Sequence, residues 1–335
     1  MARSCAHCRL ASTSGQDARH VRARARPQGA IDPAARDTHH RTRFCVRKTA
    51  SQCPRPDNRL WHTQRMTKIR ETKPHITPYD KLSFDAETLT GMLASGAAQA
   101  VLTDFFGSAL YQELTGLAQE VAKTLTRGGK RVYVLPGIMG SQLGLMRARP
   151  KPPDVLWVDP IDIAFGRLTK LTLTERSAVV SLGVLLYGYI KLQLKLQRAG
   201  FDPVLWDYDW RRSIDDSGRR LAAQLREDPA REILLVAHSM GGLVARHALT
   251  LPGQTKVTRV VLLGTPNFGS LAAVQALRGT YSVVRKVAML DWKHSAEQLA
   301  EQVFGSFASL YHLLPPAGRA GPINLFAPEA WPVNG

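Results

Sequence analysis

The fifteen residues Glu232-Ile-Leu-Leu-Val-Ala-His-Ser-Met-Gly-Gly-Leu-Val-Ala-Arg246 decide the fold of this chain. They begin as an apolar, β-prone run that ends at Ala237 and continue from Met240 as an amphipathic helix, so Ser239 falls on the turn between a buried strand and a helix. Ala237 and Gly241, two positions before and after this serine, are small enough to let the strand and the helix approach closely. We therefore expect a strained turn that projects the Ser239 hydroxyl from the carboxyl end of a sheet.

This unit has the form of a nucleophile elbow, whose usual pattern is G-x-S-x-G. Ala237 replaces the first glycine, and alanine, the next-smallest residue, still permits the turn. The amide of Met240 then points, together with the helix N-terminus, at the oxyanion that forms when Ser239 attacks an ester. His238 adjoins the serine, but we expect its side chain to leave the turn in another direction and to pack rather than to act as the base. The alternative, a chance serine in such a turn, is disfavoured by the strand and helix on either side.

A second glycine-bearing turn follows an earlier strand. Residues 131–135 are predicted to form a buried strand, which Pro136 and Gly137 close. In α/β-hydrolases the loop at this position supplies the other oxyanion amide, and we expect that amide to be the N–H of Ile138. Taken alone, a Pro-Gly turn after a strand is common, and it would be interpreted as a plain loop.

Strands and helices alternate on both sides of the elbow. The predicted strands are 131–135, 201–206, 232–237 and 257–263, and the predicted helices are 88–126, 185–198, 217–226 and 240–250. This alternation predicts the α/β class, with an α/β-hydrolase fold whose mostly parallel central sheet is covered by helices on both faces.

Composition divides the chain into three parts. Residues 1–70 carry sixteen Lys and Arg but only four acidic residues, a net charge of +12 out of +18 for the chain. This segment has no hydrophobic periodicity, so we predict that it is disordered. Residues 71–130 form a predicted N-terminal helical segment, and residues 131–335 the hydrolase domain. All four cysteines lie in the first part, so disulfides do not hold the rest together.

Three interpretations of residues 1–70 stay open. One is a zinc site, although its second half lacks a paired spacing. It would be built from Cys5, Cys8, His39, His40, Cys45 and Cys53. Another is an organelle transit peptide. The favoured interpretation is a misassigned start, with translation beginning at Met66. Binding of nucleic acid is disfavoured because this arm has no interleaved aromatic residues and the body has no basic stripe.

Four separated motifs carry a family resemblance. They are Val134-Leu-Pro-Gly-Ile-Met-Gly-Ser-Gln-Leu143, Tyr208-Asp-Trp-Arg211, Val236-Ala-His-Ser-Met-Gly241 and Leu262-Leu-Gly-Thr-Pro-Asn-Phe-Gly-Ser270. They occur in the order seen in the lecithin:cholesterol acyltransferase family, which includes phospholipases A2. The later segment Ser306–Pro315 resembles the Leu-Leu-Pro region of that family. The chain is therefore similar to this family over about residues 131–315, and most similar to its bacterial, disulfide-free branch.

The resemblance implies a lipid O-acyltransferase, lipase or phospholipase that works through an acyl-enzyme. Ser239 would be the nucleophile, and the amides of Met240 and Ile138 would hold the oxyanion. The partners would be a lipid ester and an alcohol or water acceptor, with peripheral contact to a lipid surface, and no protein partner is identifiable. No metal or cofactor is implied. The motifs at 209–211 and 264–269 also match the family, and we assign them structural roles.

The acid and the base of a catalytic triad are not found in the sequence. In this fold both follow the serine along the chain. The only aspartate after Ser239 is Asp291, and the histidines are His247, His294 and His312. His247 is expected to face away from the serine on the elbow helix, Asp291 and His294 are predicted to share one helix, and His312 lies in the Leu-Leu-Pro region. We therefore expect a truncated chain, whose sheet is incomplete at the C-terminus and ends in an unpaired apolar edge.

A competing hypothesis is a catalytically inactive α/β-hydrolase remnant that lacks the triad acid and base. The incomplete triad favours this hypothesis, whereas the intact elbow and the oxyanion turn favour an enzyme. Residues 2–26 contain no apolar stretch of the kind found in signal peptides, and no apolar run reaches the roughly 18–20 residues that cross a bilayer. The expected location is therefore cytoplasmic.

Overall fold

The computed structural model describes residues 86–124, 129–148, 151–319 and 321–331. The predictions for residues 1–70, including the zinc site and the start at Met66, lie outside the described residues.

Seven strands form two sheets in the described part of the chain. Their bounds are β1 Lys130–Leu135, β2 Ser141–Leu145, β3 Asp154–Trp157, β4 Val179–Val184, β5 Phe201–Leu205, β6 Ile233–His238 and β7 Val257–Leu263. The larger sheet is parallel and has the order β5-β1-β6-β7. The smaller sheet is antiparallel, with the order β3-β2-β4, and it is inserted between β1 and β5 along the chain.

Helices connect the parallel strands. Their bounds are α1 Ala86–Ser95, α2 Gln99–Phe106, α3 Ser108–Thr124, α4 Pro160–Ala164, α5 Leu186–Arg198, α6 Ile214–Glu227, α7 Met240–Thr250, α8 Leu271–Leu277, α9 Ser282–Leu290, α10 Ala296–Gln302 and α11 Ala308–His312. Short 3₁₀ segments lie at Arg167–Leu171, Phe304–Ser306 and Pro328–Ala330. No helix in the described ranges is both long and apolar enough to cross a membrane.

The parallel sheet is buried on both faces at its centre because alternate side chains of each strand point to opposite sides. Tyr133 and Leu135 of β1 join Leu235 and Ala237 of β6 in one large apolar core, against which α6 and α7 pack. Val132 and Val134 are buried on the opposite side of β1. A second core, built from α1, α2, α3 and α5, packs against Leu205 of β5. Helices thus flank a four-stranded parallel sheet, as the sequence predicts for an α/β-hydrolase-like fold.

The order of the strands creates a crevice beside β1. From β1 the chain passes to β5 on one side, whereas from β6 it passes to β7 on the other side. Connections that leave neighbouring strands in opposite directions open a gap at the carboxyl ends of those strands, where α/β proteins bind ligands. The turn after β1 begins at Pro136 and the turn after β6 contains Ser239. Both sequence motifs therefore meet at this switch point.

Several predicted elements differ from the observed ones. The single helical stretch predicted from residue 88 is three helices, because Gly96, Ala98 and Gly107 have φ values of 74°, 56° and 80° that interrupt the helical backbone. The helix predicted at 217–226 begins three residues earlier, where Ser213 caps it by accepting a hydrogen bond from the N–H of Asp216. The antiparallel sheet of β2, β3 and β4 was not predicted, because its strands are short and carry no clear alternation.

Strand β7 is the open edge of the described sheet. It pairs with β6 on one side only, and its residues from Thr258 to Leu263 are all exposed. Val261, Leu262 and Leu263 have 48%, 38% and 41% of their surface exposed, and neighbours in a strand point to opposite faces. Both faces of this strand are therefore only partly covered by the described residues.

A buried ion pair anchors the segment that follows β5. Arg211 is 0% exposed and donates to both carboxylate oxygens of Asp209, at 2.9 and 2.8 Å. The guanidinium also donates to the carbonyls of Leu171 and Val179, at 2.7 and 3.2 Å. This cluster ties the chain after β5 to the insertion that contains β4, so the structural role predicted for the Asp-Trp-Arg motif is confirmed.

We predict that Asp209→Asn destabilises the fold by about 3 kcal/mol or more, because it leaves the charge of Arg211 buried without its counterion. The matched control is Asp202→Asn, which removes a half-exposed carboxylate 3.1 Å from Arg131. An exposed pair of this kind contributes less than about 1 kcal/mol. Urea unfolding followed by circular dichroism measures both changes, and equal losses of stability would contradict the account.

Candidate functional site

Ser239 lies on a strained turn between β6 and α7. Its φ of 51° and ψ of −124° fall in a region that residues with a β-carbon rarely adopt. The turn is held on both sides: the N–H of Ser239 donates to the carbonyl of Leu263 at 2.8 Å, and its own carbonyl accepts from the N–H of Gly242 at 3.0 Å. The strain predicted for the elbow is therefore present, and β7 and the first turn of α7 impose it.

The two glycines after Ser239 allow α7 to approach its neighbours. A β-carbon on Gly241 would stand 2.4 Å from the carbonyl oxygen of Pro136. One on Gly242 would stand 1.9 Å from the hydroxyl oxygen of Thr265. Because Gly241 has no side chain, α7 can lie against the turn after β1. Because Gly242 has none, α7 can also lie against the turn after β7.

The turn after β1 lies directly against the elbow. A β-carbon on Gly137 would stand 2.9 Å from the β-carbon of Ser239 and 3.4 Å from its Oγ. The turn is closed by a hydrogen bond from the N–H of Gly140 to the carbonyl of Gly137 at 3.0 Å, with Met139 at a φ of 62°. In the described ranges, no hydrogen bond engages the N–H of Ile138 or of Met240. These two amides flank the serine from neighbouring turns and keep their protons available.

The hydroxyl of Tyr189, on α5, links these two turns. It accepts the N–H of Gly137 at 3.0 Å and lies 2.9 Å from Nδ1 of His238. Burial raises the pKa of Tyr189, so the phenol keeps its proton and can donate it to Nδ1. The ring of His238 packs edge-on against the ring of Tyr189, with centroids 6.0 Å apart. This histidine is the last residue of β6, its ring is exposed, and its partner is Tyr189.

Aromatic side chains fix the rest of the loop that follows β1. The hydroxyl of Tyr208, which is 0% exposed, donates to the carbonyl of Pro136 at 2.9 Å. The indole N–H groups of Trp157 and Trp210 donate to the carbonyls of Met139 and Ser141, at 3.1 and 2.9 Å. Complete burial raises the pKa of Tyr208 well above its usual range. The loop is thus held along its length by neutral donors.

Two of the three downstream histidines contact carboxylates. Nδ1 of His247 lies 3.3 Å from Asp215 on α6, and its ring packs against Gly218, so this residue faces α6. Nδ1 of His294 lies 3.0 Å from Oδ2 of Asp291. The third, His312, accepts the backbone N–H of residue 214 at 3.4 Å.

The prediction that Asp291 and His294 share a helix is wrong. Helix α9 ends at Leu290, and the other carboxylate oxygen of Asp291 accepts the backbone N–H groups of residues 293 and 294 at 2.7 and 3.1 Å. An aspartate that satisfies backbone donors in this way ends a helix. Ser295 then caps α10. The two residues therefore form a loop pair in which a buried carboxylate orients an imidazole.

No described residue makes a hydrogen bond to Oγ of Ser239, and His238, His312 and His294 have other partners. His, Cys, Asp and Glu residues form no group of three or more that could hold a metal ion within the described ranges. The elbow and the two free amides are therefore present, whereas the base is not assigned.

Comparison with known proteins gives one family match. Residues 214–308, which run from α6 through the elbow to the start of α11, match the family model described as a PGAP1-like alpha/beta domain. This match suggests a hydrolase-type enzyme of the lipase or esterase kind. No curated protein matches the chain.

One similar solved structure is that of the Tle4–Tli4 complex. The match has a TM-score of 0.37 and 16% identity, and it covers 59% of this chain and 56% of that chain. The chain thus spans little more than half the length of that relative.

We predict that Gly137→Ala slows labelling of the chain by a fluorophosphonate about 10²-fold, because the new methyl group pushes the turn and its Ile138 amide away from the serine. Loss of one oxyanion donor has an effect of this size. The matched control is Gly188→Ala, an exposed helical position with no atom within 4 Å of the added carbon. Labelling of both variants at the rate of the unmodified chain would contradict the geometry described above.

Proposed function

We propose that this chain is a serine esterase that acts on lipid esters, as a lipase or phospholipase or as an O-acyltransferase of the lecithin:cholesterol acyltransferase kind. Ser239 is its nucleophile, and the amides of Ile138 and Met240 form its oxyanion hole. The main support for the proposal is the strained turn of Ser239, together with the approach of Gly137, where an added β-carbon would stand 2.9 Å from that of Ser239. Backbone strain of this kind is retained where it serves a site.

The reaction proceeds through a covalent intermediate. Oγ of Ser239 attacks the carbonyl carbon of the ester and loses its proton to a base, and the carbonyl oxygen becomes an oxyanion between the two amides. The tetrahedral intermediate then expels the alcohol, which takes up the proton, and leaves an acyl-enzyme. Water or a second alcohol attacks this ester and regenerates the serine. Hydrolysis and transfer differ only in which acceptor reaches the acyl group.

His294 is the candidate base that the side-chain contacts favour. Asp291 holds its Nδ1 and is itself buried, and this arrangement fixes an imidazole so that the other nitrogen can accept a proton. His247 has a half-exposed partner, Asp215, and faces away from the elbow. His238 adjoins the serine, but its Nδ1 already faces the phenol of Tyr189.

A second candidate function is a non-catalytic α/β-hydrolase remnant. The observation that favours it is the absence of any hydrogen bond from a described residue to Oγ of Ser239.

Labelling by a fluorophosphonate probe distinguishes the two functions. We predict that the folded chain is labelled, that Ser239→Ala abolishes the labelling, and that His294→Ala slows it by a factor on the order of 10³ or more. His247→Ala is the matched control and is expected to label at the rate of the unmodified chain. A folded chain that is not labelled would contradict the esterase and support the remnant. Circular dichroism confirms that each variant is folded.

The acceptor is tested with a long-chain p-nitrophenyl ester. Release of p-nitrophenol measures formation of the acyl-enzyme, and mass spectrometry of the acyl product with and without an added primary alcohol separates transfer from hydrolysis. Product that contains the alcohol identifies an acyltransferase, and free fatty acid alone identifies a lipase.

A further inference from the structure

An apolar patch lies on the surface formed by α4 and the C-terminal end of α9. We define this exposed patch by five residues, Ile161, Phe165, Met289, Leu290 and Trp292, whose exposed fractions are 48%, 53%, 83%, 48% and 77%. Single exposed apolar residues are normal on a protein surface, but a contiguous group of large ones marks an interaction site.

The patch is continuous across the two elements. The rings of Phe165 and Trp292 are in edge contact, with centroids 5.6 Å apart. The backbone N–H of Trp292 donates to the carbonyl of Ala164 at 3.2 Å, and the N–H of Phe165 donates to the carbonyl of Ile161 at 3.1 Å. Ile161 and Phe165 are therefore one helical turn apart on the same side of the chain.

The exposed patch is not needed to hold α4 and α9 in place. Ile163 of α4 and Val284 and Val287 of α9 already attach these helices to the large core, with 1%, 0% and 6% of their surface exposed. The five patch residues point away from that core. Their apolar surface remains available to a partner.

Cations surround the apolar residues. Arg285 and Lys286 lie one helical turn before Met289 and Leu290 on α9, and Lys293 follows Trp292. All three are exposed, and long basic side chains can extend beside apolar groups toward a charged surface.

Four carboxylates lie near these cations. Asp159 caps α4, Asp162 pairs with Arg167, and Asp291 is buried beneath His294. The remaining one is Glu297, whose pKa is lowered by its own backbone N–H, by Ser295 and more weakly by Arg285. Of these four carboxylates only Glu297 is exposed, so the exposed charges around the patch are three cations and one carboxylate.

We propose that the exposed patch docks the chain on an anionic lipid surface, with Trp292 and Met289 inserted among the acyl chains and Lys286 and Lys293 among the headgroups. Apolar tips flanked by basic residues are typical of interfacial binding, and each cation near an anionic leaflet strengthens it. A second copy of the chain is disfavoured as the occupant, because a two-fold axis through the patch would bring like cations together. The purpose of this docking rests on the proposed function, since it would bring Ser239 to aggregated lipid esters.

The test uses the full chain and vesicles of phosphatidylcholine with or without phosphatidylglycerol, whose acyl chains are brominated. Residues 1–70 carry a net charge of +12 and will attract anionic vesicles by themselves, so binding of the unmodified chain alone is not diagnostic, and partitioning is compared only between variants that keep this segment. The readout is quenching of tryptophan fluorescence by bromine. Trp157, Trp206 and Trp210 are buried, with 3%, 9% and 0% exposed. Trp61 and Trp331 are present in both proteins, so the difference in quenching between the unmodified chain and Trp292→Phe isolates Trp292.

We expect quenching on anionic vesicles to be weaker in Trp292→Phe than in the unmodified chain. The double variant Met289→Ser/Trp292→Ser should weaken partitioning at least about tenfold, because it deletes two large apolar groups. Lys286→Glu/Lys293→Glu should reduce the preference for anionic over neutral vesicles about tenfold. Phe326→Ser, which removes an aromatic side chain that is 58% exposed, is the matched control and should bind like the unmodified chain.

Three results would overturn the proposal. They are equal quenching in Trp292→Phe, unchanged partitioning of the double serine variant, and a dimer in sedimentation velocity that this variant dissociates. Fluorophosphonate labelling of the same variants separates this proposal from the proposed function. Bromine quenching without labelling would support the docking surface and contradict the esterase, and labelling without quenching would do the reverse.

Discussion

The contact between Gly137 and Ser239 is the constraint on which the candidate site depends. It exists because β1 and β6 are neighbours whose connections leave in opposite directions, so the turns that follow them meet at one crevice. The approach leaves no room for a β-carbon on Gly137, and Ser239 on the other side has a positive φ. Every other feature of the site either maintains this approach or makes use of it.

The surrounding side chains maintain the approach with hydrogen bonds rather than with charge. The phenol of Tyr189 accepts the N–H of Gly137 in the turn after β1 and faces His238 on the elbow. The phenol of Tyr208 donates to the carbonyl of Pro136 in the same turn. Both groups are buried enough to stay neutral, so the crevice holds no fixed negative charge from them that would oppose an oxyanion. The buried pair of Asp209 and Arg211 stabilises the segment that carries Tyr208, and thus contributes to the site from a distance.

The sequence was sufficient to predict the parts of the site that depend on local pattern. The apolar run before Ser239, the glycines after it and the Pro-Gly turn after β1 predicted the elbow, the parallel strands and the fold class. It was not sufficient for contacts between distant segments. Tyr189 lies within an ordinary helical pattern, and only its folded position shows that it reaches His238. Asp291 and His294 have helical spacing, and the helix ends between Leu290 and Asp291 because the aspartate captures backbone donors there. The small sheet of β2, β3 and β4 forms by long-range pairing, for which short strands give little local signal.

The most direct test of the central claim is a crystal structure of the chain after reaction with a small fluorophosphonate ester. We predict a covalent bond to Oγ of Ser239, with the phosphoryl oxygen about 2.7–3.1 Å from the amide nitrogens of both Ile138 and Met240. A phosphoryl oxygen that points into solvent, or that contacts only one of these amides, would contradict the claim that the two turns form one oxyanion site.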